Sequence, residues 1–452
     1  MSKRQLFALL ATIIGSGVVI LDGFVVNLAL PNLARDLHAS FSDLQWVIDA
    51  YLLSLSALIL VGGSLGDILG RKRMYLLGLM GFGTFSLLCG LAPNLPALIA
   101  LRALQGVSGA LLVPGALAII NTNFKPEQRG AAFGRWTAWS GIVTVIGPLV
   151  GGYIIDVASW RWIFFINLPL IAICYWLALT SVEESKDQNP RTVDYTGAVL
   201  AATTLAGITY GFIEGPPTHW GRGAISALVS GFVLGAVFLW VEAHKKDPML
   251  KLDLFKSRNF KGVNITTFAM YGGLSGFIFA LLIYLQSSLG YSGIKAGMSL
   301  LPISVVMLFL AGRMGNLATK YGPRLFMTFG PIISGLGIFL LIRLQPGNSY
   351  ISGVFPGMTL FALGLAITVA PLTITVMASV PQTESGIASG INNAVTRAAG
   401  LIIIALLGLF GVQHAYRFTM VLCASLLASA GVLSYIIIRN PHPTGKATTR
   451  TK

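Results

Sequence analysis

Apolar stretches of about twenty residues alternate with short polar, glycine- or proline-rich breaks along nearly the whole chain. A helix that crosses a bilayer needs about 20 mostly apolar residues, so each stretch predicts one membrane-spanning helix. Cutting at the charged and Pro/Asn-rich breaks gives fourteen spans, at 6–30, 43–66, 74–92, 97–121, 131–155, 163–182, 194–213, 223–243, 260–289, 296–318, 325–342, 350–378, 385–411 and 417–438. The longest polar stretches, Glu242 to Lys261 and the tail from Arg439, are too short to bury a core, so no extramembrane domain is expected. Lys3 and Arg4 before the apolar run to Leu21 imitate a secretion signal, but no small-residue cleavage site follows and the segment runs on through Asp22 to Pro31. It reads as a retained first span.

Composition sharpens this picture. Of 452 residues, 55% are hydrophobic and 10% charged, where a soluble domain carries about 25% charge; a soluble enzyme is excluded. The net charge of +15 invites a nucleic-acid reading, but the basic residues are scattered between spans, so no nucleic-acid partner is expected. Sorted by side of the predicted topology, 23 Lys and Arg fall with the N-terminus and six opposite it, with Arg102 and Arg397 inside spans. Cytoplasmic loops attract Lys and Arg, so both termini are expected in the cytoplasm of a multi-pass protein of the bacterial plasma membrane. Cys89, Cys174 and Cys423 sit singly in apolar runs as small core residues. The five histidines, His38, His219, His244, His414 and His442, fall in loops or near span ends without metal-ligand spacing, and no GxxxxGK[ST] phosphate loop occurs. No enzyme activity, metal or cofactor is expected, and ATP is not the expected energy source.

The loop after span two, Gly63-Ser-Leu-Gly-Asp67-Ile-Leu-Gly70-Arg71-Lys72, matches Gly315-Asn-Leu-Ala-Thr319-Lys-Tyr-Gly322-Pro-Arg324 after span ten with the same glycine spacing. Two related halves follow, a design known in transporters that hold substrate between parallel repeats. With six spans each, the halves cover 1–182 and 260–438; spans seven and eight with a linker form an insertion at 183–259, and 439–452 is a tail. Gly63 and Gly70 are expected to make a tight turn, and Asp67 to pair with Arg71 or Arg129.

These residues resemble the major facilitator superfamily, and the likeness covers essentially the whole chain. Gly63 to Arg73 is similar to its signature loop, Arg102-Ala-Leu-Gln-Gly106 to its second motif, and Gly147-Pro148-Leu-Val-Gly151-Gly152 to the motif associated with antiporters. Leu21-Asp22-Gly-Phe-Val-Val-Asn27-Leu-Ala-Leu-Pro31 and Trp160-Arg161-Trp162-Ile-Phe-Phe-Ile-Asn167-Leu-Pro169 resemble the fourteen-span drug:proton antiporter branch. The resemblance implies an all-α bundle of six, two and six spans and alternating access. It also implies that Gly63, Asp67, Gly70, Arg71 and Arg129 form a latch between the halves in one transport state. Phe24 stands where the family usually has threonine, a departure beside Asp22.

Charges inside a membrane are costly and mark function. Asp22, Asp49 and Arg102 lie on three spans at a similar depth, about 8 to 12 Å from the outer side at 1.5 Å per residue. A desolvated carboxyl near an arginine suits proton exchange, so Asp22 with Arg102 is expected to couple protons, with a static ion pair the alternative. By resemblance to exporters of quaternary ammonium compounds, Asp49 in Trp46-Val-Ile-Asp49-Ala-Tyr51 is expected to meet cationic substrate together with Asp22, Trp46 and Tyr51. Arg397, with Asn392 and Asn393 on the preceding turns, joins the expected substrate site and brings the intramembrane charge to zero. Trp136, Trp139, Phe277 and Phe279 are candidate aromatic walls, with lipid-facing or core packing the simpler alternative.

The expected function is a monomeric, proton-coupled antiporter exporting hydrophobic, cationic small molecules, with protons and membrane lipids as its other partners. Two alternatives remain: an exporter of a lipid, siderophore or anionic metabolite on the same fold, and a non-transporting membrane sensor or assembly partner.

Overall fold

The computed structural model describes residues 1–187, 193–381 and 384–440. Arg191 and the tail beyond Asn440, with His442, lie outside them, and so does the side chain of His414. The described chain is helical and contains no strand. The helices of the first half are α1 (Lys3–Asp36), α2 (Phe41–Leu69), α3 (Arg71–Leu91), α4 (Leu95–Asn123), α5 (Pro126–Val157), α6 (Trp162–Phe165) and α7 (Asn167–Ser181). A hairpin of α8 (Tyr195–Glu214) and α9 (Arg222–His244) follows. The second half has α10 (Arg258–Ser287), α11 (Gly293–Met298), α12 (Leu301–Tyr321), α13 (Pro323–Leu341), α14 (Phe355–Ala378), α15 (Ser385–Leu406) and α16 (Gly411–Ile437).

Counting α6 with α7 and α11 with α12, thirteen of these helices are long and apolar enough to cross a membrane. The remaining predicted span corresponds to α5, a 32-residue helix whose described apolar run is Ile146–Val157. Two predicted spans are therefore interrupted helices, broken at Ile166 and between Met298 and Leu301. The first span outruns its prediction, because Pro31 sits inside α1 without ending it. Serine caps start several helices: Ser2 with Gln5 and Ser40 with Asp43 form reciprocal capping boxes, which satisfy amide groups the first turn leaves free.

Small residues set the helix packing, as expected where lipid is as apolar as the protein interior. A Cβ on Gly62 of α2 would lie 2.1 Å from the Ala110 carbonyl of α4, and one on Gly106 of α4 would lie 2.3 Å from the Tyr51 carbonyl. The second half repeats the device between α13 and α14, where Gly337 meets the Phe361 amide at 2.3 Å and Gly364 the Ser334 amide at the same distance.

The repeated loops also correspond in detail. Gly70 and Gly322 each precede a helix with positive φ, +119° and +86°. Glu184, just past α7, accepts from the amides of Lys72 and Arg73 at 3.1 Å each, while Asn440, just past α16, accepts from the Arg324 amide at 3.0 Å. Each half thus closes its own loop with a residue a few positions past its last helix. Gly63, however, is not in the turn; it lies inside α2, which runs unbroken to Leu69, and faces the Pro114 side chain. Gly70→Ala is expected to cost about 1–3 kcal/mol, because the new Cβ adopts a strained φ and meets the Glu184 carboxyl at 2.7 Å. Thermal unfolding in detergent checks this against Gly347→Ala, where φ is +92° but the space is open.

Candidate translocation site

The chain ends fix a reference face. Arg4 at the start of α1 bonds Ser181 at the end of α7, and Arg258 at the start of α10 bonds Ile436 and Ile437 at the end of α16. At the opposite face the two halves are joined. Asp156 of α5 accepts from the amides of Gly293 and Ile294 at 2.6 and 2.8 Å, Gln286 of α10 donates to the Leu28 carbonyl of α1 at 3.0 Å, and Gln45 of α2 donates to the Ile404 and Ala405 carbonyls of α15. The glycines of the antiporter-like motif make this closure possible. Gly147 and Gly151 receive Leu21 and Val25 of α1, while a Cβ on Gly152 would strike the Gly293 carbonyl at 2.4 Å and one on Gly297 the Pro148 carbonyl at 2.2 Å.

A cavity of about 1390 Å³ runs from this closure to the terminal face. Its mouth is lined by Asp67 and Arg71 of the first repeated loop, by Asp187 and Asp194, and by the linker residues Asp247, Pro248 and Met249. Asp67 bonds Arg71 at 2.7 Å and through its carbonyl accepts from the Asp187 amide at 3.0 Å. Arg129 instead donates to the Phe124 carbonyl, so of the two expected partners Asp67 has Arg71.

The linker is strapped across the mouth. Lys245 bonds Asp194 at 2.5 Å, Glu242 accepts from the Leu250 amide at 2.6 Å, and Lys251 pairs with Glu384 before α15. Burial alone would raise the Asp194 carboxyl, but Lys245 and the amides of Gly197 and Met249 outweigh it and hold the group below the usual carboxylate range. A depressed carboxyl stabilises the fold above its unfolded value, about 3.9, and loses that contribution only as pH falls through the lower folded value. The Lys245–Asp194 link of the strap therefore persists across neutral pH.

Deeper in, the buried charges separate into three environments. Asp22 (α1) and Arg102 (α4) are both 1% exposed and meet at 2.6 Å. Gln105 donates to Asp22 at 3.1 Å and accepts from Arg102 at 2.8 Å, Asn167 donates to Asp22 at 3.4 Å, and Arg102 also reaches the Val47 carbonyl and stacks 4.4 Å from the Tyr51 ring. Gln105 and Asn167 lie within the motifs quoted above, and the three-residue spacing from Arg102 to Gln105 places both on one helix face.

Asp49 is fully buried, and neither carboxylate oxygen has a hydrogen-bond partner among the described residues. It lies one turn from Gln45 and one from Leu52, both of which touch α15. Arg397, in contrast, lines the cavity together with Tyr51, Asn392 and Asn393. Asn392 is anchored to Asn264 at 3.1 Å and Thr267 at 2.7 Å.

The expected site residues are thus only partly assembled. Tyr51, Arg102, Asn392, Asn393 and Arg397 line the cavity, whereas Asp22, Asp49 and Trp46 do not. Trp46 donates to Glu214 of α8 at 2.7 Å and packs on Tyr210, tying the inserted hairpin to the first half. Of the other aromatic candidates Trp136 lines the cavity, Phe277 and Phe279 are core, and Trp139 is exposed on the outer surface. Asp156 and Gly297 carried no sequence signal of their own, since their role is visible only from the partner helix.

Known proteins agree with this architecture. The chain is 32% identical over 410 residues to the multidrug resistance protein Stp of Mycobacterium tuberculosis, covering 90% of this chain and 76% of that one. It is equally similar, at 32% over 464 residues, to the puromycin resistance protein pur8 of Streptomyces alboniger, covering 96% and 92%, and at 32% over 392 residues to the multidrug efflux pump LfrA of Mycolicibacterium smegmatis, covering 86% and 78%. Among solved structures a POT family transporter bound to 5-aminolevulinic acid superposes with TM-score 0.73 at 13% identity over 96% of this chain and 95% of that chain, and a D-xylose-proton symporter with 0.68 at 14% over 96% and 97%; these share the fold. The Major Facilitator Superfamily profile matches residues 12–403 and 263–452, and with the paired halves, the spanning helices and the central cavity the chain belongs to that superfamily, as a multi-pass membrane transporter and not an enzyme.

Proposed function

We propose that this protein exports hydrophobic small molecules from the cytoplasm in exchange for protons, by alternating access. The observation that carries the reading is the cavity open at the terminal face and closed opposite by Asp156, Gly152 and Gly297, beside a buried Asp22–Arg102 pair. The relatives named for multidrug resistance and efflux support the drug class. The bias of Lys and Arg supports a mouth that opens toward the cytoplasm, where a single chain would collect drugs.

In this cycle Asp22 is ionised while the cavity faces inward, held by Arg102, Gln105 and Asn167. Opening to the outside lets a proton neutralise Asp22, which frees Arg102 from its strongest partner and loosens the contact between α1 and α4. Return to the inward state restores the pair and expels the proton. Asp67 and Arg71, pairing with each other here, would turn to the opposite half when the mouth closes. The cationic substrates expected from Asp22 and Asp49 find no carboxylate in the deep wall, whose lining acids all lie at the mouth.

A drug-efflux panel in a sensitive host tests the reading. Efflux is expected to stop when the proton gradient is collapsed, and Asp22→Asn at matched expression is expected to lower resistance to the host's background. Equal resistance from the wild-type and Asp22→Asn proteins would sink the coupling role.

A further inference from the structure

We propose that Arg397 forms an anion-binding subsite inside the cavity, so that the exported molecules include hydrophobic organic acids bearing a carboxylate or an acidic phenol. This rests on the reading of the cavity as the substrate path. The charges lining the cavity sort by depth. Asp67, Asp187, Asp194 and Asp247 lie at the mouth, where Arg71 and Lys245 balance two of them. Further in, the lining charges are Arg102 and Arg397. Arg102 is neutralised by Asp22 at 2.6 Å. Arg397 makes no hydrogen bond or ion pair with any described residue, and its Nε is buried.

An arginine at membrane depth normally pairs with an internal acid or a backbone carbonyl. Arg397, about 12 residues or roughly 18 Å into α15, has neither, so the geometry leaves its counter-charge to come from a ligand. Tyr271, Asn392 and Asn393 line the cavity with Arg397. A guanidinium presents two parallel N–H groups that match a carboxylate. Phe24, Leu52, Trp136 and Ile278 give the wall apolar surface for the body of the molecule.

The test uses the full chain in phosphatidylcholine vesicles with three matched probes, pyrenebutyrate, its methyl ester, and a pyrenebutyl-trimethylammonium cation. Wild-type protein is expected to bind and move pyrenebutyrate. Arg397→Gln is expected to weaken pyrenebutyrate binding at least about tenfold and the ester less than twofold, with partial recovery in Arg397→Lys. Pyrenebutyrate binding that survives Arg397→Gln, or an equal loss for all three probes, overturns the subsite. Transport of the cation and ester but not the acid overturns it while leaving export intact. Arg397-dependent binding of the acid without flux of any probe keeps the subsite and overturns export. If phosphatidylglycerol in the vesicles abolishes Arg397-dependent binding, the site belongs to a lipid headgroup and the substrate assignment fails.

Discussion

Arg102→Ala is expected to destabilise the protein by about 3–5 kcal/mol and to abolish transport. The guanidinium is 1% exposed and serves Asp22, Gln105 and the Val47 carbonyl at 2.6, 2.8 and 3.2 Å. Without it the Asp22 carboxylate stays buried with only the amides of Gln105 and Asn167 as donors, and an uncompensated buried charge costs far more than the intact pair contributes. The Tyr51 ring also loses the cation stacked 4.4 Å from its centroid. Unfolding in detergent measures the loss. A double-mutant cycle with Asp22→Asn separates the two roles of the pair: the double variant is expected to regain stability, since no charge is left unpaired, by a coupling of about 0.5–3 kcal/mol. It is not expected to regain transport. Additive stability effects would show that the two groups act independently.

The second large effect is expected at the closed face. Gly297→Ala places a Cβ 2.2 Å from the Pro148 carbonyl oxygen and 2.9 Å from its carbon. Both obstacles are backbone, so no side chain can swing aside, and α5 and α11 must separate. Separation also pulls Gly293 and Ile294 away from Asp156, which shifts the population toward the state open on that face. A carrier that favours one state by tenfold spends most of its time unable to complete the cycle. Transport is expected to fall about tenfold or more, while a cysteine placed at Gln286 becomes more reactive to an impermeant thiol reagent. The native cysteines, Cys89, Cys174 and Cys423, are buried and give little background. Gly312→Ala on the adjoining α12, with open space around its Cβ, is the control expected to change nothing. Unaltered transport in Gly297→Ala would show that this contact does not gate.

Both predictions join residues far apart in sequence, and they differ in how legible they were. Asp22 and Arg102 stood out at a shared depth because intramembrane charges are rare and each residue advances a helix by a fixed rise. The repeat of Gly70 and Gly322 was equally plain, since each position needs a left-handed backbone that glycine adopts freely. Gly63 misled, because a glycine in a helix next to a turn carries the same sequence signal as one in the turn. Asp156 and Gly297 carry no such signal, because a carboxylate near a span end and one glycine among 52 are ordinary in this chain.

The sequence by itself determined the membrane class, the succession of long apolar helices, the repeat of the two glycine loops and the short set of buried charges. Those properties follow from composition and from position along each helix axis. Only the tertiary structure decided which way each charge points: Asp22 into a closed network with Arg102, Gln105 and Asn167, Asp49 into a buried place off the cavity, and Arg397 into the cavity. In a soluble helix the polar face would betray orientation. Here lipid and protein interior are both apolar, so the pattern along a span encodes depth but not azimuth, and azimuth is settled when the helices pack.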